Sequence, residues 1–327
     1  MRGSDSRDQR DFRVSLCPSY MFIHLIVFIA SFIGVSGTAI PLKWGPGGSL
    51  VVRGRVGPRE MDIMLRSCDT QTRVSGPNTV TFEPRQVQLY AGAASVSVPL
   101  DRIRQRGNLD SFRATLGFSH TSRFGRQVGG MMLVPNSSTG NITMHISPEN
   151  PDQLCYENGP IAYASLVPVH YAGYTVRTRL EAHWPEGSIL ESNQTSIVSS
   201  STYFATIETK DADSVIPAVI FNDIMNRARQ HGIPPIHEGV ATFNAPNCYT
   251  ELFTILPELR YYISTTDSEV AAIIMTPSDY LISNGEQCFL SLRADRYYPP
   301  AHGTQFLKNV AVYFDYTNHR FGFCEPL

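Results

Sequence analysis

GTQFLKNVAVYFDYTNHRFGF, residues 303–323, alternates apolar and polar side chains as a strand does, with Val310, Val312 and Phe314 in step. It turns at Asp315-Tyr316-Thr317-Asn318 and resumes with Phe321 and Phe323 around Gly322. Strands of period two need a partner sheet, so this segment implies that the chain closes inside a β-structure.

The sequence upstream supplies the partners. Leu50-Val51-Val52 begins a strand and Met61 to Leu65 reads as the next. Val87 to Val98 alternates around Ala91-Gly92-Ala93, which predicts a hairpin with a small-residue tip. Ile142 to Ile146, Ile161 to Val169 and Tyr174 to Leu180 are further strands, and others are expected from Leu252, Arg260, Val270 and Ile282. Ile40 to Ser49, with Pro41 near its start and Gly45-Pro46-Gly47-Gly48 at its end, reads as a loop. One helix stands out, Pro217 to His231: Ile220, Ile224 and Ala228 share a face that Phe221 and Met225 widen. Arg227, Arg229 and His231 lie near its end and Gly232 follows, as helix termination favours. No short-period internal repeat is visible.

A chain of 327 residues is long enough for two lobes with separate cores, and its 24 glycines and 22 prolines suit many turns between short strands. The net charge of −2 argues against a general attraction to nucleic acid. Residues 1–19 are polar, and an apolar run follows from Tyr20 to Val35. That run is short of the roughly 20 residues a membrane span needs. With small residues at Val35-Ser36-Gly37-Thr38-Ala39, it describes a secretory signal peptide; a retained signal anchor is the competing reading. Sequons at Asn136, Asn141 and Asn193 agree with a luminal or secreted setting. Cys17 precedes the apolar run, leaving Cys68, Cys155, Cys248, Cys288 and Cys324. Five is odd, so at least one is free or pairs between chains.

The second half resembles the pepsin-like aspartic protease family, segment after segment and in order. Leu166-Val167-Pro168-Val169 followed by Gly173-Tyr174-Thr175-Val176 is similar to that family's Trp-Val-Pro-Val connection. Leu256-Pro257-Glu258-Leu259, Thr276-Pro277-Ser278-Asp279-Tyr280-Leu281 and the closing segment each resemble its second lobe. In the first half, Gln88-Leu89-Tyr90-Ala91-Gly92-Ala93 resembles its flap and Thr115-Leu116-Gly117-Phe118 its Gly-Ile-Leu-Gly-Leu turn. The resemblance implies an all-β, two-lobed fold with few short helices. It divides the chain into a lead with signal (1–37), a trimmed first lobe (38–159) and a second lobe (160–327). It further implies a Cys248–Cys288 disulfide and suggests Cys155–Cys324, for which two isolated thiols are the alternative.

The family hydrolyses peptides with two aspartates, each in an Asp-Thr-Gly loop, which share a proton and a water. The resemblance places the second loop at Ala205 to Asp211, with Glu208 for the aspartate, Thr209 conforming, and Lys210 for the glycine. Glutamate carries its carboxyl about 1.5 Å further out, and a misplacement of about 1 Å can cost a hundredfold in rate. The first loop lies in Ser67-Cys68-Asp69-Thr70-Gln71-Thr72, and two registers are open: spacing from Pro58 puts the aspartate position near Ser67, motif similarity puts it at Asp69. Asp69 and Glu208 are thus the candidate catalytic positions, with Tyr90, Thr70 and Thr209 lining the cleft. The competing reading makes Asp69, Glu208 and Lys210 ordinary loop residues in a cleft without chemistry.

The expectation is a secreted or luminal aspartic-protease homologue with lost or reduced peptidase activity, binding a peptide or protein between its lobes. An active acid endopeptidase using an Asp/Glu pair and a structural glycoprotein are the alternatives. No cofactor, metal or nucleic-acid partner is implied, and a membrane enters only if the apolar run is retained.

Overall fold

The computed structural model describes residues 37–326, apart from 77–85, 93, 106–112, 137, 168–172, 189–193, 238–239, 244–247, 266–269, 284–286 and 297–298. The apolar run from Tyr20 to Val35 and the sequon at Asn193 therefore lie outside the described residues.

The chain is mostly β, and its two halves repeat one strand arrangement. In the first half, Leu50–Val56 pairs antiparallel with Arg59–Arg66, which runs parallel to Arg113–Gly117. That strand is antiparallel to Arg73–Gly76, which is parallel to Arg102–Gln105. In the second half, Thr175–His183 pairs antiparallel with Tyr203–Ile207, which runs parallel to Ala301–His302. This strand is antiparallel to Ser214–Ile216, which is parallel to Leu292–Ala294. The pattern antiparallel, parallel, antiparallel, parallel is the same in both. The repeat escaped the sequence reading because it lives in pairing order and not in residue identity.

A shared sheet joins the halves. Ala311–Asp315 pairs with Arg320–Cys324 on one side and with Gly130–Pro135 of the first half on the other. Asp315 holds the turn between them: its carboxylate accepts from the Asn318 N–H, the Asn318 amide and Arg320 Nε (3.1, 2.8 and 2.7 Å). Arg320 also lies 3.5 Å over the Tyr163 ring. Phe314, Phe321, Tyr174 and Phe118 meet edge to face or tilted with centroids 4.6–5.8 Å apart, so one aromatic cluster binds both halves. The predicted turn at 315–318 and the helix, observed as Ala218–Gln230, are both present, and Ile220, Phe221, Ile224, Met225 and Ala228 are its buried face. The hairpin around Gly92 is also present, as Gln86–Ala91 paired with Ala94–Pro99.

Two expectations need correction. Residues 40–49 are not simply a loop: Thr38–Trp44 is a strand, paired with Ile142–Ile146 and Leu50–Val56. Pro41 is tolerated because pairing to Leu50–Val56 begins only at Leu42, so at Pro41 the strand is paired on one side. Leu252 starts no strand; it lies in the helix Cys248–Ile255, where Leu252 and Ile255 are buried three residues apart.

Cys155 and Cys324 form a disulfide, and Cys288 is disulfide-bonded as well. Cys248, the partner the resemblance implies for Cys288, opens its helix with a side chain outside the described set. Cys68 is a free thiol. The Cys155–Cys324 bond spans 169 residues of sequence and sits in a small apolar cluster with Met132, Val134, Leu154, Ile161 and Ala311. Replacing both cysteines by serine is expected to lower stability by about 2–5 kcal/mol, read as a fall in the urea midpoint.

Candidate functional site

The two halves meet at a pair of loops that follow equivalent strands, after Leu65 and after Ile207. The Ser67 hydroxyl donates to the Ile207 carbonyl (2.5 Å), and the Thr209 hydroxyl donates to the Leu65 carbonyl (3.0 Å). The Ser67 N–H in turn donates to the Thr209 hydroxyl (3.1 Å), and both residues are fully buried. Each hydroxyl therefore reaches the carbonyl two residues before the opposite hydroxyl. That reciprocity is a local two-fold axis. It makes Arg66 the counterpart of Glu208, and Cys68 the counterpart of Lys210.

Glycines beneath the loops obey the same symmetry. A side chain at Gly117 would strike the carbonyl oxygens of Gln71 and Asp69 at 2.4 and 2.7 Å. One at Gly303 would strike those of Asp213 and Ala212 at 2.4 and 2.5 Å. Both glycines permit one strand to pass directly under a loop. Ser119 donates its N–H to Asp69 as Thr304 does to Asp211 (3.1 and 3.0 Å).

By this symmetry the position in the first loop is Arg66, one residue before the Ser67 near which spacing placed it and three before the Asp69 of motif similarity. The Cys-Asp-Thr string resembles the catalytic motif, but the position belongs to the last residue of the strand Arg59–Arg66. Asp69 lies three residues on, with its carboxylate 3.5 Å from the Arg66 guanidinium. Thr70 is half-buried in the same turn, while Thr209 belongs to the buried seam itself. Tyr90 donates to Glu60 at 3.3 Å. Glu60 is six residues from Arg66 along an extended strand, about 20 Å away, so the Tyr90 hydroxyl stands apart from the loop pair. Asn136 and Asn141 are exposed in the turn between Gly130–Pro135 and Ile142–Ile146.

Around the seam the side chains do not form a carboxylate pair. Glu208 accepts from the Cys68 thiol (3.4 Å) and from the Lys210 N–H (2.9 Å). The Lys210 ammonium lies 3.9 Å from Asp211 and so serves a different carboxylate. Burial pushes the Cys68 thiol up to about 12, and the neighbouring Glu208 charge adds to the rise. A thiol of that kind is protonated at neutral pH and is no ready nucleophile. Among the described residues no three His, Cys, Asp or Glu side chains gather as metal ligands. Arg66 and Cys68 were the residues sequence reasoning overlooked; the signal available was the continuous alternation from Arg59 to Arg66, with its buried positions at Ile63 and Leu65.

Comparison with protein-family models and with curated proteins finds no match to this chain.

Thr209→Val keeps the shape but leaves the Ser67 N–H and the Leu65 carbonyl without partners in a buried seam. It is expected to cost on the order of 2–4 kcal/mol, measured by chemical denaturation. At neutral pH, iodoacetamide should alkylate Cys68 on the order of a hundredfold more slowly than an unperturbed thiol. Glu208→Gln removes a charge that raises the thiol, so it should speed that reaction at fixed pH, read by mass spectrometry of the Cys68 peptide.

Proposed function

We propose that this chain is a pepsin-like aspartic-protease homologue that has lost peptidase chemistry and acts by binding a peptide or protein between its lobes. The observation that carries the reading is the reciprocal Ser67–Thr209 seam, which makes Arg66 the counterpart of Glu208. Acid proteolysis of this type needs two carboxylates near enough to share one proton, one acting as base on water and the other as acid on the peptide carbonyl. A guanidinium stays protonated at any working pH, has no lone pair to accept a proton and cannot take the base role. Asp69 is a poor substitute, being tied to Arg66 and displaced along the loop. The repeated strand arrangement and the paired glycines support descent from a two-lobed scaffold in which both loops once carried the same residues.

A secretory setting fits the same reading. The apolar run before residue 36, the exposed sequons and the Cys155–Cys324 bond are each at home in an oxidising compartment.

Incubating the purified chain with a mixed peptide library from acidic to neutral pH, with and without a statine-type inhibitor, tests the proposal. No cleavage is expected at any pH, together with retention of the inhibitor on the protein. Inhibitor-sensitive cleavage that disappears in Glu208→Ala would overturn the reading in favour of an active endopeptidase. Absence of both cleavage and inhibitor binding would overturn the binding half of it and favour a structural role.

A further inference from the structure

Beneath the second loop one histidine is enclosed on every side. His302 is 1% exposed and sits on the short strand Ala301–His302, where Ile207 is its parallel neighbour. Its ring stacks on Phe306 (centroids 4.5 Å apart, planes 18° apart) and meets Tyr261 edge to face at 5.1 Å. Nε2 is paired with the Thr178 hydroxyl at 3.3 Å, and Nδ1 has no hydrogen-bond partner. Thr178, Tyr261 and Phe306 are themselves fully buried.

This slot accepts an imidazole and rejects an imidazolium. A charged ring carries two N–H donors, and only the Thr178 hydroxyl is at hand to accept one. The surrounding elements bring no compensating carboxylate. On Thr175–His183 and Glu258–Ser264 the charged side chains alternate onto the opposite face, where Arg179 and His183 turn to Glu181 and Arg260 to Glu258 (3.2, 2.9 and 2.6 Å). That leaves the Tyr261 phenol beside the ring, which burial keeps protonated. In the loop above, Glu208 accepts from Cys68 and the Lys210 N–H, Asp211 lies by the Lys210 ammonium, and Asp213 accepts from Arg293 at 2.6 Å. Lys308, two residues beyond Phe306, lies over the Trp44 ring. Burial accordingly drives the His302 value down to about 3.

The same strand supports the loop pair. The His302 carbonyl accepts the Glu208 N–H (2.9 Å), and the Gly303 N–H donates to the Ser214 hydroxyl (3.0 Å). Thr304 donates its N–H to the Asp211 carbonyl and its hydroxyl to that of Gly48 in the first half (3.0 and 2.6 Å). We infer that His302 is an acid-released latch: proton uptake drives the ring from its slot, the strand Ala301–His302 leaves with it, and the second loop loses its support and its tie to the first half. The native slot holds the ring neutral, whereas the opened state binds a proton at the ordinary histidine value of about 6.5. The latch is therefore closed above that value and loses its hold as pH falls below it, toward about 3. It operates in the ligand-free chain and does not depend on what binds between the lobes.

Hydrogen exchange of the ligand-free chain, resolved by mass spectrometry between about pH 7.5 and about pH 4.5 and normalised to the intrinsic rate at each pH, tests this. Protection over 203–216 and 299–306 should fall about tenfold for each pH unit below about 6.5, while Ala311–Asp315 and Arg320–Cys324 keep theirs. His145, which burial also holds below the ordinary value, lies on Ile142–Ile146 in the first half. A loss of protection confined to that strand would overturn the assignment to His302. His302→Leu keeps an apolar group against Phe306 and takes no proton, so it should abolish the pH dependence; an unchanged dependence in that variant would overturn the latch. Should the variant fail to fold, an NMR titration of the wild-type ring gives a second reading. The ring is expected to titrate only in step with the loss of protection, and a ring that charges near pH 6.5 with protection intact would overturn the proposal.

Discussion

Everything near the centre of this molecule depends on two buried hydroxyls that cross between its halves. The Ser67 N–H and the Leu65 and Ile207 carbonyls end up where water does not reach, and each finds its partner only on the opposite loop. Leaving one such group unpaired costs about 1–3 kcal/mol, so the seam fixes how the halves face one another. It continues outward as Leu50 donates to the Thr209 carbonyl, Ala212 to that of Gly47, and the Thr304 hydroxyl to that of Gly48 (3.0, 3.1 and 2.6 Å). Gly48 is in the left-handed region (φ 73°), and its α-carbon passes so close to Ala212 that a side chain would meet the Ala212 methyl at 2.4 Å.

With the backbone held this tightly, the chemistry depends on which side chains occupy the symmetric positions. Arg66 opposite Glu208 gives charges of opposite sign, whereas the resembled family places like charges there and uses their repulsion to trap a proton. Cys68 is pressed into the seam: a side chain at Gly173 would meet its sulfur at 3.1 Å. Its burial and the adjacent Glu208 keep it a neutral donor. The result is a loop pair that keeps its mechanical role while Arg66 turns to Asp69 and Glu208 to Cys68 and the Lys210 N–H.

How much of this could be read in advance depended on whether the signal was local. The closing segment announced itself through alternation, with a turn made of residues whose side chains bond their own backbone, Asp315 above all. The helix from Ala218 was legible from its apolar face and its basic last turn. Other features were decided by tertiary context. Thr38–Trp44 becomes a strand only because two neighbours lie ready on either side, and a proline with nearby glycines disguised it. Leu252 belongs to a helix whose short apolar run has no distinguishing period. The register of the first loop was beyond local reading, since the deciding contacts join residues about 140 positions apart. A string of similar letters at Asp69 was more conspicuous than the arginine that holds the position.

The shared sheet carries a consequence for how the protein is made. Gly130–Pro135 emerges from the ribosome long before Ala311–Asp315, the strand that completes it. Until then its edge is open and strongly apolar, with Met131, Met132, Leu133 and Val134 all destined for burial. The first half is thus synthesised in a state that exposes an adhesive strand for the time needed to translate a further 170 or so residues, at roughly 5–20 residues per second. Nascent chains of this protein should therefore depend on chaperone cover for several seconds or more, and the Cys155 thiol must stay unmispaired for the same interval.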